Sequence, residues 1–393
     1  MPSPVPERPG LLLRDPYRYA EAVLVVPSPL VPCLAFFNGQ CDEGDLRQAL
    51  ERLTGDARVG EVIDHLRGTL SSSGFLEDET YFRFRDQRHR AFADAPRRDP
   101  AHAGSAYPWE PEALRATLER YLDESGAAPP DASPGLLGIA APHVSPEGGW
   151  RSYAAAYRAL GPELKGRTFV VLGTSHYGEP DRFGLTRKSF LTPYGVTAVD
   201  EALVERLAER GGDAVRREDY CHSVEHSIEF QVVFLQHLYG PDVRILPILC
   251  GPLSRTLRGQ GRPEDDAGVG RFLDALGELA AAEGERLAWV LGVDMAHIGR
   301  RYGDDEAARA DEGPLAQVAA RDRERCQRLA EGDAGGFWRL VQENGDDLRW
   351  CGAAPFYVFL RAAAPAGGEL LRYEQWNIDE QSVVSFAGMA FRR

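Results

Sequence analysis

The sequence predicts an α/β fold, a mixed or mostly parallel sheet with helices on both faces, preceded by a small α+β domain. The first observation behind this prediction is that short, continuous apolar runs alternate with amphipathic segments from about residue 105 onward. Such runs are typical of strands buried on both faces. The second is size: the chain has 393 residues, of which 43% are hydrophobic, enough for a large core and a second domain.

In the predicted large domain, each apolar run is separated from the next by a segment with helical spacing. The predicted strands are Leu136–His143, Thr168–His176, Val243–Cys250, Leu287–Met295, Leu370–Trp376 and Ser382–Phe391. The predicted helices are Gly149–Leu160, Asp200–Arg210, His222–Tyr239, Ala267–Ala282 and Ala354–Ala362, with others within Gly313–Gln342. Alternation of strands and helices indicates crossover connections and hence parallel strands.

The N-terminal region is predicted to form a domain of winged-helix-like type. Asp45–Arg52 and Val59–Leu70 have the apolar spacing of short helices. The alternating aromatic residues of Tyr81–Arg85 indicate a strand, and hence a β-ribbon at the end of this domain. Three roles of this domain stay open: structural support, docking of a protein or peptide, and DNA binding.

The boundary between the two domains is placed in a segment without sustained apolar periodicity. Arg85–Ala103 mixes arginine, aspartate, alanine, proline and histidine, as a linker would. We therefore divide the chain into residues 1–98, a small α+β domain that is a candidate docking module, and residues 99–393, the candidate metal-binding domain.

Charge and cysteine usage bound the classes of function. The chain carries 60 acidic and 45 basic side chains, a net charge of −15, which disfavours binding to nucleic acid. Its apolar runs are too short to span a bilayer, and no secretory leader pattern opens it, so we expect no membrane association. Its six cysteines are scattered without a C-x-x-C pair. These features are typical of a cytoplasmic protein with reduced thiols.

Histidine and aspartate residues recur at the carboxyl ends of predicted strands. His143 and His176 end two of these strands, and Asp294 and His297 follow Leu287–Val293. Open α/β sheets bind ligands at this edge, so these side chains are expected to share one crevice. Imidazole is a common ligand of Zn, Cu, Fe and Ni, and the crevice is therefore a candidate metal site.

Cys351 is the cysteine best suited to join such a site. It lies just before the predicted apolar helix, where unpaired amides and the helix dipole stabilise a thiolate. We expect it to be a metal ligand or a thiol of low pKa, or else a small core residue in a tight turn.

A second cluster, His222-Ser-Val-Glu225-His226-Ser-Ile-Glu229, allows two interpretations. His222 and His226 would lie on one face of a helix, and the H-x-x-E-H spacing matches zinc peptidases in which Glu225 would be the general base. The other interpretation is that this helix contributes one histidine and one glutamate to the pocket at the strand ends.

These residues stand in motifs that resemble the Memo family, the B component of the bacterial AmmeMemoRadiSam set. The matching motifs, in the family's order, are Ala103-Gly-Ser-Ala-Tyr-Pro108, Ala141-Pro-His143, Gly173-Thr-Ser-His176, Thr192-Pro-Tyr-Gly195, Glu225-His-Ser-Ile-Glu229, Asp294-Met-Ala-His297 and Cys351-Gly352. They cover about residues 103–393. Residues 144–149 depart from the family pattern, which indicates a different pocket mouth.

The resemblance implies a fold like that of the extradiol ring-cleaving dioxygenases (class III), with a non-haem metal in the crevice. By that resemblance His143, His176 and Cys351 are the metal ligands, and Cys351 stands where the dioxygenases carry a carboxylate. His297, with Asp294 beside it, would match the pocket histidine that handles protons or dioxygen there, and His226 would line the same pocket. We further expect Asp294, three residues before His297, to orient its ring. The metal is expected to be Fe(II) or Cu, with Zn as an alternative.

Three functions are consistent with the sequence. The first is a metal-dependent protein of redox or oxygen chemistry, an oxidoreductase if it turns over. By the family resemblance it would act beside a radical-SAM protein and an AMMECR-type protein of the same system. The second is a non-catalytic protein that binds a peptide or small ligand, and the third is the H-x-x-E-H zinc peptidase.

Overall fold

The computed structural model describes residues 9–56, 58–124, 135–259 and 261–393. The chain divides into two compact units, Met1–Asp94 and Ala95–Arg393. Within the described ranges, no helix is both long and apolar enough to cross a membrane.

The first unit is a hairpin followed by helices. Its elements are strands β1 (Gly10–Arg14) and β2 (Val23–Pro27), which pair antiparallel, a 3-10 helix (Ser28–Phe36), and helices α1 (Glu43–Thr54), α2 (Gly60–Ser72) and α3 (Glu79–Asp94). The two predicted helices are confirmed as α1 and α2. They enclose a small core of Cys33, Leu46, Leu50, Val59, Ile63, Leu66 and Leu70.

The predicted strand Tyr81–Arg85, and the terminal β-ribbon with it, is wrong. Tyr81–Arg85 lies inside α3, and the hairpin of this unit precedes the helices instead of following them. The Asp78 carboxylate accepts hydrogen bonds from the backbone N–H groups of Thr80 and Tyr81, which starts a helix. Tyr81 and Phe84 are three residues apart, so their spacing also suits one helical face.

The second unit contains a longer series of strands and helices. The strands are β3 (Leu136–Ala141), β4 (Thr168–Thr174), β5 (Phe183–Leu185), β6 (Leu191–Thr192), β7 (Gly195–Val196), β8 (Ala198–Val199), β9 (Val215–Arg217), β10 (Arg244–Cys250), β11 (Leu287–Gly292), β12 (His297–Gly299), β13 (Gly367–Asp379) and β14 (Ser382–Arg392). The helices are α4 (Pro111–Glu124), α5 (Pro146–Tyr157), α6 (Glu201–Arg210), α7 (Cys221–Val224), α8 (Glu229–Tyr239), α9 (Ser254–Leu257), α10 (Ala267–Glu283), α11 (Leu315–Ala330), α12 (Ala334–Gln342) and α13 (Ala353–Ala363).

The second unit is built on a mixed sheet of ten strands in the order β12-β14-β3-β11-β4-β10-β5-β9, with β13 beside β14 and β8 beside β10. Its central strands β3, β11, β4 and β10 are all parallel. The antiparallel strands lie towards the edges, where β14 pairs with β3 and β5 pairs with β10. The predicted mixed, mostly parallel sheet is thus confirmed.

Helices cover both faces of this sheet. Alternate residues of β4 point to opposite faces, as the pleat requires: Val170 and Leu172 belong to one core, Phe169 and Val171 to the other. The first core packs on α6, α10 and α13, and the second on α4, α5 and α8. Every residue of β3, β4 and β11 is buried, which explains why these strands appear as continuous apolar runs.

The predicted long helix His222–Tyr239 is confirmed over Glu229–Tyr239 as α8, but its continuity is wrong, because residues 225–228 separate α8 from α7. The Glu225 side chain accepts hydrogen bonds from the backbone N–H of His226 and of Ser227, which competes with helical hydrogen bonding. Ser227 donates its hydroxyl to the carbonyl of Thr174 at the end of β4. His226 therefore lies in a turn at the sheet edge and shares no helical face with His222.

Candidate metal centre

Three parallel neighbouring strands deliver the predicted site residues to one edge of the sheet. His143, Asp294 and His176 each lie two residues beyond the last residue of their strand, β3, β11 and β4 respectively. Because these strands are adjacent and parallel, their carboxyl ends meet. The imidazole rings of His143 and His176 have their centroids 4.9 Å apart. The strand-end grouping predicted from the sequence is therefore present.

Cys351 reaches this edge from a different element. It lies two residues before α13, and its Sγ is 3.4 Å from Nε2 of His143. One ligand atom each of His143, His176 and Cys351 lies within 4.8 Å of the other two. The structure thus brings together three residues from segments that are far apart in sequence.

This donor set fits a transition-metal ion. Bond lengths of about 2.0–2.1 Å to imidazole nitrogen and about 2.3 Å to thiolate place two such donors roughly 3.5 Å apart around a tetrahedral ion. The 3.4 Å between Sγ of Cys351 and Nε2 of His143 matches that spacing. Two imidazoles with one thiolate suit Fe, Cu or Zn.

The rings of His143 and His176 are oriented by partners on their far side. Nδ1 of His143 donates to the carbonyl of Gly292 at 2.9 Å, and Nδ1 of His176 donates to the Glu225 carboxylate at 3.0 Å. Both partners leave Nε2 as the free ring nitrogen, an arrangement typical of metal-binding histidines. Burial lowers the pKa of His143 well below its ordinary value, so its imidazole is neutral and able to bind a metal.

Glu225 is a buried carboxylate that anchors one side of the site. Besides the His176 ring, it accepts the backbone N–H of His176 at 2.8 Å and that of His226 at 2.8 Å. Burial opposes its ionisation, but contact with His176 holds the pKa of Glu225 well below its ordinary value. Burial would likewise lower the pKa of His176, yet the Glu225 carboxylate raises it well above that value. Each group of the pair therefore favours the charged form of the other.

His226, predicted to line the pocket, lies against both ligand histidines. Its ring stacks on that of His176, with centroids 5.0 Å apart, and meets that of His143 edge-on at 5.1 Å. His176, Glu225 and His226 form a second group with closely spaced ligand atoms. Glu225 already accepts backbone N–H groups and contacts both rings. We therefore interpret Glu225 and His226 as residues that position the ligand His176, and not as a second metal site.

Behind Glu225 lies a buried ion pair that the sequence reasoning missed. The Arg98 guanidinium pairs with the Glu229 carboxylate and also donates to the carbonyls of His222 and Glu225, at 2.8 and 2.9 Å. Glu229 accepts the hydroxyl of Tyr107 as well. Arg98 is only 1% exposed. It fixes the interrupted segment that carries Glu225 and His226, and a lone arginine in an apparent linker gave no signal of this.

Asp294 does not orient the ring of His297, so that prediction is wrong. Its carboxylate accepts the backbone N–H of His143 at 2.9 Å and of Val144 at 3.3 Å, which caps the turn after β3. Its other oxygen lies 3.4 Å from Nε2 of His143. Burial raises the pKa of Asp294 to about 7, so this group can gain or lose a proton near neutral pH.

His297 starts β12 and is oriented by main-chain carbonyls. Its Nδ1 lies 2.9 Å from the carbonyl oxygen of Met295 and 3.1 Å from that of Arg349. A proton on Nδ1 leaves Nε2 as the basic nitrogen. Burial lowers the pKa of His297 to about 4, so the ring is neutral at physiological pH. Tyr302 packs edge-on against it, with ring centroids 4.9 Å apart.

The expectation of a low-pKa thiol at Cys351 is wrong for the protein without metal. Burial raises the pKa of Cys351 above its ordinary value, and its Sγ lies 3.6 Å from the carbonyl oxygen of Asp294. The helix dipole at the start of α13 would lower the pKa of this thiol, but it does not outweigh the loss of solvent around the sulfur. A half-buried thiol beside two imidazoles is suited to bind a metal ion as a thiolate, because metal binding releases the thiol proton.

His222 lies outside the site. It is buried, its Nε2 donates to the carbonyl of Gly184 at 3.0 Å, and it belongs to neither group of closely spaced ligand atoms among the described residues. The helical face that the peptidase interpretation requires is absent, because His226 lies in the turn after α7. The alternative, in which this segment lends Glu225 and His226 to the strand-end pocket, agrees with the geometry.

The fold and the site define an α/β protein with a candidate His/His/Cys metal centre at the carboxyl edge of its parallel strands. A family model of Memo-like proteins matches residues 98–390. The chain belongs to the Memo family.

Relatives of the chain bear the same family name. A MEMO1 family protein of Aquifex aeolicus is 27% identical over 384 residues, which cover 97% of this chain and 95% of the relative. That alignment extends into the first unit, beyond the motifs from which the resemblance was inferred. A MEMO1 family protein of Thermococcus kodakarensis is 30% identical over 307 residues, covering 75% of this chain and 99% of the relative.

A solved structure is also similar, at a lower level. It is the crystal structure of an uncharacterized protein of Escherichia coli K12, with a TM-score of 0.35 and 16% identity over 61% of this chain and 91% of that one. Nothing about chemistry follows from so weak a likeness.

Proposed function

We propose that this chain is a metal-dependent redox protein whose ion, Fe(II) or Cu, is held by His143, His176 and Cys351. The observation that carries the proposal is the convergence of these three donors within 4.8 Å. Three protein ligands leave coordination positions open, as in catalytic rather than structural sites. The bound ion would supply one-electron redox chemistry, including reactions with dioxygen. The family resemblance supports iron or copper and redox chemistry, while the thiolate in place of a carboxylate donates more electron density and favours softer ions than the dioxygenase site does.

The surrounding side chains have complementary tasks in this proposal. Glu225 holds His176 in its ligand orientation, and Asp294 holds the turn that carries His143. His297 keeps a neutral ring whose Nε2 can accept a hydrogen bond from a substrate, since its pKa of about 4 disfavours a protonated ring at neutral pH. The second carboxylate oxygen of Asp294 lies 3.4 Å from Nε2 of His143 and adds a negative charge beside the proposed ligand atom.

Metal analysis of protein purified without chelators tests the ligand set. We expect a stoichiometric transition metal in the wild type and its loss in His143→Ala, His176→Ala and Cys351→Ala. The matched controls are His65→Ala and Cys41→Ala, which change the same residue types in the first unit. Unchanged metal content in all three ligand variants would overturn the proposal, and retention in both controls shows that the loss is specific.

The proposed partners are a radical-SAM protein and an AMMECR-type protein of the same system. The support for them is the family resemblance alone. Co-purification of the full chain with each protein tests this part, and we expect specific retention of at least one. If neither protein is retained, the proposed partners are rejected, and the proposed metal site is unaffected by that result.

A further inference from the structure

Asp322 is a buried carboxylate that none of the sequence motifs includes. It lies on α11, is 0% exposed, and shares its helical face with Val318 and Cys326. A carboxylate on such a face is costly unless each oxygen has hydrogen-bond donors. The identity of its donors therefore indicates what the residue does.

Two of the described donors to Asp322 also belong to, or hydrogen-bond with, the loops of the candidate metal centre. Nε1 of Trp350, the residue before Cys351, donates to Oδ1 at 2.7 Å. The hydroxyl of Ser385 donates to Oδ2 at 2.6 Å and itself accepts the backbone N–H of Ala296 at 2.9 Å. The third donor, the hydroxyl of Tyr373 at 2.8 Å, belongs to β13 and also lies beside the Ser385 side chain.

The two site loops are also in direct contact. The backbone N–H of His297 donates to the carbonyl of Leu348 at 2.9 Å, and the Arg349 guanidinium donates to the carbonyl of His297 at 3.1 Å. The backbone N–H of Gly352 donates to the carbonyl of Asp294 at 3.0 Å, and that of Met295 donates to the carbonyl of Ser385 at 2.8 Å. The guanidinium of Arg325 lies over the Trp350 ring, 5.2 Å from its centroid, and supplies a positive charge near the carboxylate. Asp322 is thus one group that connects the Cys351 loop to the segment Asp294–His297.

We infer that Asp322 is a positioning residue for the candidate metal centre: through Trp350 it fixes the loop of Cys351, and through Ser385 it fixes the segment Asp294–His297. This inference rests on the proposed function, because it concerns the geometry of the same site. Partners of this kind, one shell removed from the ion, change metal affinity by about 10–100-fold when they are removed.

Titration with Co²⁺ alone tests the inference, because a thiolate ligand gives bound cobalt an intense near-ultraviolet charge-transfer absorption. The variants are Asp322→Asn and Ser385→Ala, with Tyr373→Phe as the matched control that removes a donor to the same carboxylate but leaves both loop contacts. Urea unfolding of each variant separates site geometry from global stability.

We expect wild-type protein and Tyr373→Phe to bind Co²⁺ with the same affinity and the same thiolate absorption. Asp322→Asn and Ser385→Ala are expected to bind about 10–100-fold more weakly, with weaker thiolate absorption. If Asp322→Asn does not fold, Ser385→Ala, which keeps the carboxylate, carries the test. If Asp322→Asn and Ser385→Ala match the wild type in Co²⁺ affinity and thiolate absorption, the inference about Asp322 is overturned and the proposed function stands. If the wild type itself shows no thiolate absorption, the proposed function is overturned, and the inference with it.

Discussion

The ligands of the candidate centre are held in two physically different ways. His143 and His176 follow parallel strands of the sheet. The ring of His143 donates to the carbonyl of Gly292 at the end of β11, and the ring of His176 donates to the Glu225 carboxylate in the turn between α7 and α8. Cys351 instead precedes a helix, and its loop is held by Asp322 through the indole of Trp350. We call His143, His176 and the residues that hold their rings the histidine side of the centre, and Cys351 with its loop the cysteine side. The histidine side is positioned mainly by the ends of parallel strands, and the cysteine side by a contact from α11.

The two modes of support differ in the substitutions to which they should be sensitive. The histidine side depends on the segment that carries Glu225, because that carboxylate accepts from the His176 ring and from two backbone N–H groups. The cysteine side depends on close packing of two loops, because Gly352 lies against the main chain of Asp294. Substitutions that affect one side and spare the other are therefore the sharpest tests.

The greatest loss of stability is expected for Arg98→Met on the histidine side. This substitution leaves the Glu229 carboxylate buried without its charged partner, so the free energy of unfolding should fall by about 3–5 kcal/mol. Urea unfolding measures it. The neighbouring Arg97→Met is the control, because Arg97 pairs with Asp99 at the surface and should cost about 0–1 kcal/mol. Equal costs for both variants would contradict the structural role of Arg98.

Gly352→Ala tests the close approach on the cysteine side. A Cβ at this position would lie 2.6 Å from the carbonyl oxygen of Asp294 and 2.8 Å from Cβ of Val293, so the loops must separate. We expect a loss of about 1–3 kcal/mol and of most bound metal. Gly335→Ala is the control, since the nearest atom to its added Cβ is the flexible end of an arginine side chain at 3.6 Å. Metal retained in full by Gly352→Ala would show that Cys351 does not need this packing.

Glu225→Gln should weaken metal binding without unfolding the protein. The amide cannot accept from the His176 ring and from both backbone N–H groups as the carboxylate does, so His176 loses its fixed orientation. We expect about 10–100-fold weaker affinity, measured by competition with a chelator. Glu179→Gln, which alters a surface carboxylate paired with Arg216, should bind as the wild type does. Similar affinities for all three proteins would exclude Glu225 as the partner of a ligand.

A smaller effect is expected in the pH dependence of stability, which should differ between the two sides. Burial opposes ionisation of Glu229, but Arg98, His102 and the hydrogen bonds from Tyr107 and Ala101 together lower its pKa. The stabilisation by Glu229 is complete above the unfolded pKa and is lost as pH falls. Burial raises the pKa of Asp322, so its contribution has the opposite sign and is lost as pH rises. Lowering the pH from about 6 to about 3 should therefore shrink the stability difference between wild type and Glu229→Gln.

Asp322→Asn provides the opposing half of that measurement. The stability of the wild type relative to Asp322→Asn should increase over the same fall in pH, because the protonated carboxyl group is favoured in the folded protein. Urea unfolding at several pH values gives both differences. Parallel trends for Glu229→Gln and Asp322→Asn would mean that the two carboxylates do not differ in their environments.

The sequence predicts the histidine side of the site because hydrophobic runs report buried strands, and the residues just beyond them must meet at one edge. The positions of His143, His176 and Asp294 follow from this rule alone. The grouping of Cys351 with them depended on the family resemblance as well as on its place before a helix. Local periodicity was misleading where side chains override it, as at Glu225, whose carboxylate interrupts a helix that the apolar spacing favours.

Contacts between distant segments could not be predicted from one sequence. Arg98 stands in a segment with the composition of a linker, and only the fold shows that it pairs with Glu229. Asp322 occupies a helical position that a polar surface residue could equally fill, and its burial depends on Trp350 and Ser385. The effect of burial on the thiol of Cys351 likewise follows from the packed structure and not from the residue order.

X-ray absorption at the edge of the bound metal reports the ligand atoms themselves and so decides whether the two sides share one ion. For wild-type protein we predict one sulfur ligand at about 2.3 Å together with imidazole nitrogens at about 2.0–2.1 Å, and loss of the sulfur ligand in Cys351→Ser. A wild-type spectrum with nitrogen and oxygen ligands only, or a sulfur ligand that persists in Cys351→Ser, would contradict the proposed centre.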